Sequence, residues 1–482
     1  MLGKIENFRA KKTIALKMSG IKANTNKMKK MLKSKAMPIY ITHEHEMYRY
    51  INGKINVSKF DYESNNDQPG AKIKVNFNDL DKFEEHYIET IVAVESFRKF
   101  FFNDSFDYQR SIDYFIFAPI SVTFMKYETK NELLLYPVIK YSNDETIMME
   151  FNYYPNENDK LSVKEFSNCI FEATNIIKEI KIPIEYIQAL DLKYDINSKE
   201  SFNYDSRETY RVKLENSKID NFLKLMELFL NSLFIFDSYT WFGRSEIIID
   251  NITLSDKEIY EIKNGISNQN ANPRYLRELN DFSEHNDRKL IVMDNMTMGL
   301  GDILDQTVPI TVIDEEICSL NAKILDLATI SADSSINDLL NAKEYLIFLK
   351  NQVQHKYDSS LMAHEIMKYV INDLFEINNQ INQISDLINI YFDKAQYSKT
   401  NNEILFQDFI SVASLMFSTS VILDYVIKPM YMIVFKEQLS TIGNLLGYIT
   451  VLILSIISVL KISKIIKKDY KYDSLKQHLK KR

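Results

Sequence analysis

The side chains with the right chemistry for a site are few and scattered. Thr42–Glu46 reads THEHE, which sets two imidazoles beside two carboxylates, donor types that bind zinc. At alternate positions of a strand edge they read more simply as solvated groups. His285 in SEHNDR and His364 in AHE stand apart from other candidate groups and read as surface histidines. Thr297–Asp302 (TMGLGD) lacks the full spacing of a phosphate-cradling loop, and ten glycines in 482 residues leave little room for another. Tyr239, Trp241 and Phe242 are suited to a ligand pocket, but an aromatic core cluster is the plainer reading. These groups make no persuasive catalytic constellation, and catalysis is not expected. Cys169 and Cys318, the only cysteines, exclude a disulfide framework or a cysteine-rich zinc site.

Composition bounds the elements that would have to position such groups. With 45% hydrophobic and 26% charged residues, the chain can bury one large core or two smaller ones. A net charge of −7 argues against a stable nucleic-acid partner. Residues 1–36 are locally basic, with Lys11, Lys12, Lys17, Lys22 and six further lysines, and read as a basic arm or helix. From 37 to 309 the pattern is that of an α+β cytoplasmic sensor domain. Its expected strands are Pro38–Thr42, Ala71–Phe77, Tyr114–Tyr127, Glu132–Tyr141 and Thr146–Tyr154, the last three forming an antiparallel meander. Its expected helices are Leu80–Phe101, Ser162–Ile180 and Lys218–Leu233, from their three- and four-residue apolar spacing.

Residues 310–408 read as a helical stalk. Neither glycine nor proline occurs between Pro309 and Pro429, and Ser/Asp-rich joints at Ser331–Asp338 and His355–Ser360 divide the stalk into two shorter helices and one long one beginning near Asp358. Along the long helix Ala363, Met367, Val370, Leu374, Ile377, Ile381, Ile384, Ile388 and Tyr391 alternate four- and three-residue steps, a heptad seam that favours self-association. Residues 409–463 then read as a two-span transmembrane hairpin, from the runs Phe409–Ile427 and Ile442–Leu460. Residues 464–482 form a basic tail. The positive-inside bias puts both termini in the cytoplasm of a multi-pass membrane protein. The fold class expected is thus an α+β cytoplasmic domain followed by a long helical stalk and a C-terminal two-helix transmembrane hairpin. Carried onward, the seam turns Asn402, Leu405, Phe409, Val412, Met416 and Thr419 toward a shared axis, where symmetric copies would build a pore lining.

This layout, with the segment SKTNNEILFQDFISVASLMF (Ser398–Phe417), resembles the CorA family of divalent-cation channels over roughly 310–468. The resemblance implies a homo-oligomeric, pentameric ion channel in the lipid bilayer, with Mg²⁺ or another divalent cation as its ion. Divergent members that act as antiviral effectors imply gating by a small nucleotide. Under that reading Asp373, Glu376, Asp386 and Asp393 on the stalk are candidate Mg²⁺ ligands between subunits. The family's Gly-Met-Asn signature is absent, and Lys428-Pro429-Met430-Tyr431 stands in its neighbourhood. The alternative is a membrane-anchored cytoplasmic binding protein or enzyme that uses the hairpin only as a tether.

Overall fold

A twelve-residue strand near the N-terminus, Phe8–Ser19, lies in the middle of a large sheet, where a solvated basic arm was expected. The computed structural model describes residues 4–5, 8–44, 46–59, 88–95, 97–98, 111–126, 128–142, 144–153, 161–204, 207–215, 218–249, 254–264, 280–282, 288–301, 307–355, 362–435, 441–450, 453 and 456–457. Numbered along the chain, the strands are β1 (Lys4–Ile5), β2 (Phe8–Ser19), β3 (Lys22–Ala23), β4 (Ile39–Ile41), β5 (Glu46–Ile51), β6 (Lys54–Lys59), β7 (Ile112–Ile116), β8 (Ile120–Lys126), β9 (Thr129–Ser142) and β10 (Thr146–Tyr153). They continue as β11 (Leu161–Ser162), β12 (Ile176–Pro183), β13 (Glu200–Tyr204), β14 (Arg207–Lys213), β15 (Phe234–Ile235), β16 (Ser238–Ile249), β17 (Asn280–Asp281), β18 (Arg288–Val292) and β19 (Met296–Gly301).

Fifteen of these join one sheet along the path β13-β14-β12-β8-β9-β10-β2-β16-β19-β18-β17. A branch leaves β9 through β7 to β4, β5 and β6. Only the β16–β19 pair is parallel among the described strands. The expected meander is present as β8, β9 and β10, and Thr13 of β2 lies opposite Glu150 of β10 on one side and Arg244 of β16 on the other. Since side chains alternate along a strand, this register decides which groups share a face.

One face is apolar. Ile14, Leu16 and Met18 of β2, with Phe124, Phe151 and their neighbours, pack under helices Thr25–Ser34, Ile184–Leu190 and Phe222–Leu233. A second cluster joins Phe8, Ile247, Ile249, Met296 and Met298 to Phe166 and Ile259. Each such side chain contributes about 1.5–3 kcal/mol by leaving water. Asn24 and Asn221 accept the amides of Lys27 and Lys224, fixing where two of these helices start.

The opposite face is covered by the helix Thr307–Ala328, whose residues Ile310–Lys323 are all buried. Helices Ile336–His355 and Met362–Tyr369 follow; a wide turn at Val370–Leu374 leads to a break, and the long helix is Ile377–Ile422. The long helix therefore starts some twenty residues after the position expected from the seam. One further expectation differs from what is observed. Ser162–Ile180 holds only a short helix, Val163–Cys169, before β12 begins. Ala71–Phe77 lies outside the described residues, and Leu80–Phe101 is helical at 88–95.

Contacts divide the chain into two units, Met1–Ile330 with Ala342–Ser385 and Ser331–Asn341 with Asp386–Arg482. In the second unit a wide turn, Leu423–Ile427, ends the long helix ahead of Pro429, and the helix Lys428–Phe435 follows. Lys428 pairs with Asp424 inside the apolar stretch, and Tyr448 also donates to Asp424. Among the described residues no helix is long and apolar enough to cross a membrane. That finding overturns the transmembrane hairpin of the expected fold and the multi-pass placement built on it.

Candidate functional site

The covered face of the central sheet carries charge where a core would ordinarily be apolar. From β2 come Arg9, Lys11 and Thr13; from β9 Lys140; from β10 Glu150 and Asn152; from β16 Arg244 and Glu246; from β19 Thr297. The helix Thr307–Ala328 lays Thr311, Asp314 and Glu315 against them, and all three are essentially inaccessible.

The ions form a chain of alternating sign. Arg98 holds Glu95 with one nitrogen and Glu315 with the other, and Lys140 bridges Glu315 and Glu150, at 2.8 Å from the latter. Lys11 then joins Glu150 at 3.5 Å to Glu246 at 2.8 Å, and the Thr311 hydroxyl donates to Glu246 at 3.0 Å. Beside this chain Arg244 Nε meets Asp314 Oδ1 at 3.2 Å, while its other nitrogens donate to the carbonyls of Met293 and Asp294 and to Thr297 Oγ1. The Thr297 hydroxyl in turn donates to Asp314 at 2.6 Å. The Tyr114 hydroxyl donates to Glu95.

Electrostatics follow from burial set against these partners. Burial raises a carboxyl, yet Lys140, Arg98 and Lys11 together hold Glu315 down to about 2. Burial lowers an ammonium, yet Glu150, Glu246 and Glu315 keep Lys11 above the usual lysine range. At Asp314 burial prevails over Arg244 and its carboxyl is raised. Burial likewise pushes up the Cys318 thiol, which keeps it protonated and unreactive. A cavity of about 20 Å³ lies among Lys11, Tyr114, Lys140, Glu150, Asn152 and Thr311, room for one water.

This layer is chemically a docking surface with a defined register. Desolvating so many ions costs free energy that apolar packing would not, so the arrangement contributes position more than stability. Its carboxylates are engaged by cations, and among the described residues no group of three or more His, Cys, Asp or Glu is placed to hold a metal.

The residues singled out from sequence fall elsewhere. Asp373, Glu376, Asp386 and Asp393 are exposed. Leu405 and Phe409 are exposed on the long helix; Asn402, Val412, Met416 and Thr419 belong to the same helix, and their side chains lie outside the described set. The seam residues Met367, Val370, Ile377, Ile381 and Ile384 are buried within the single chain. In the THEHE segment His43 meets Asp113 at 3.1 Å, while His45 is outside the described residues. His364 is buried, contrary to expectation; His285 is outside the described residues. TMGLGD is mostly the buried strand β19. Phe242 alone of its aromatic trio joins the helix-covered face, with Ala15, Met148 and Cys318; Tyr239 and Trp241 pack on the other core. The missed signal was the acidic triplet Asp314-Glu315-Glu316 inside a largely apolar helix. No family model matches the chain, and no curated protein or solved structure does either.

Proposed function

We propose that the protein is a homo-oligomeric conformational relay, in which the sheet domain senses a ligand and the helices carry the response. The observation that supports this most is the ionic layer beneath Thr307–Ala328. Closed, the layer has room for one water only. Because its attachments are discrete ion pairs, an anion that reached the layer once the covering helix lifted would compete directly with Glu315 and Asp314 for Lys140, Arg98 and Arg244. A nucleotide phosphate has that chemistry. A ligand that binds one arrangement better than the other shifts the population between them. Ion conduction is the more specific expectation; among the described residues no helix is long and apolar enough to cross a membrane.

Amide hydrogen exchange on the full chain tests the relay. Glu315→Gln should accelerate exchange in Thr307–Ala328 and also change it in Met362–Ser385, which carries no member of the layer. A change confined to the covering helix would reduce the layer to local scaffolding and remove the relay.

A further inference from the structure

The sequence of the seam is that of an unbroken helix, and the backbone is not. Val370, Leu374, Ile377 and Ile381 keep the four-three-four spacing, so a continuous helix would hold them on one stripe. Instead Val370–Leu374 opens into a wide turn in which the Phe375 amide donates to the Val370 carbonyl at 3.0 Å. Glu376 follows with a φ of 46°, a left-handed conformation that a residue with a Cβ adopts only when its surroundings hold it there.

What holds it is visible. The Phe375 ring meets Phe242 edge-on, with centroids 5.7 Å apart, and lies 5.8 Å from the Arg244 guanidinium. Its carbonyl accepts the Gln380 side-chain amide at 2.7 Å, whereas in a continuous helix it would accept a main-chain amide. Asn378 donates to Asn372 at 2.8 Å across the break.

We infer that Val370–Glu376 is a two-state joint, broken while Phe375 is seated on Phe242 and Arg244 and straightening into one continuous helix when Phe375 leaves. Wide turns absorb an extra residue without unfolding the helix around them, so the change stays local. Arg244 also holds Asp314, so the seat of Phe375 is part of the ionic layer. The joint therefore names the moving element of the proposed relay and rests on that reading.

The test is amide exchange of Ile377, Asn378 and Asn379 in the full chain, because these begin a new helix and lack intrahelical acceptors only in the broken state. Phe375→Ala should slow them at least tenfold, and Glu376→Gly, which suits the left-handed position, should leave them fast in a folded protein. Unchanged exchange in Phe375→Ala, or faster exchange throughout 362–384 in both variants, would overturn the joint. Should Phe375→Ala fail to fold, Glu376→Ala against Glu376→Gly decides: slower with alanine supports the joint, and equal rates sink it. If Phe375→Ala slows these amides while Glu315→Gln does not move them, the joint stands and the relay falls. If Glu315→Gln moves them and Phe375→Ala does not, the joint alone falls.

Discussion

Glu315 is the residue on which the covering helix depends. Its carboxyl titrates near 2 in the folded chain, below its ordinary value of 4.5. A depressed carboxylate contributes stability that is fully present above its unfolded pKa and is lost as pH falls through the folded one. The contribution fades between about pH 4.5 and 2. Glu315→Gln should lose about 3–5 kcal/mol at pH 7, since it takes a buried partner from both Arg98 and Lys140 and leaves each with one carboxylate, and should flatten the acid limb of a denaturant-stability profile. Thr13 offers the opposite sign. Its hydroxyl is buried without a hydrogen-bond partner among the described residues, so Thr13→Val should stabilise by about 1 kcal/mol in the same assay. Neither role is readable locally. Lys11 and Lys12 look like one solvated basic run, but strand alternation sends them to opposite faces, toward Glu246 and Glu172, partners more than 150 residues away in sequence.

At the scale of elements, local pattern served where one face met one core and failed where tertiary contacts chose. The β8–β10 meander and the helix Phe222–Leu233 follow from their spacing. Ser162–Ile180 has helical spacing too, yet its second half is the β-branched run that becomes β12, pairing with β8 and β14. The break at Glu376 has no breaker residue to announce it; the seat for Phe375 comes from a strand 130 residues earlier. Turns obey their glycines more openly. Gly20 has a φ of 65°, and a Cβ there would stand 2.2 Å from Asp237 Oδ2. Gly20→Ala should therefore cost about 1 kcal/mol, a drop of about 1 °C in Tm.

For the whole molecule, hydropathy reported apolar surface without saying what covers it. The second unit exposes Phe409 to 69%, Ile433 to 77% and Ile442 to 72%, far more large apolar surface than a solitary chain ordinarily presents. Sequence read that surface as a bilayer hairpin; the described helices do not meet the length and apolarity a crossing requires. Burial of the seam also removes the original argument for self-association, which now rests on this exposed surface. Sedimentation equilibrium should show concentration-dependent oligomers of the full chain, and Phe409→Ser with Ile433→Ser should shift them toward monomer. A monomer at all concentrations would refute the oligomeric part of the relay.

The central claim is that the ionic layer and the helical joint act on one another. A double-mutant cycle of Glu315→Gln with Phe375→Ala, read by denaturant unfolding, measures that directly, because independent sites add to within about 0.5 kcal/mol. Coupling of about 1 kcal/mol or more is the predicted result. Additivity within about 0.5 kcal/mol would contradict it.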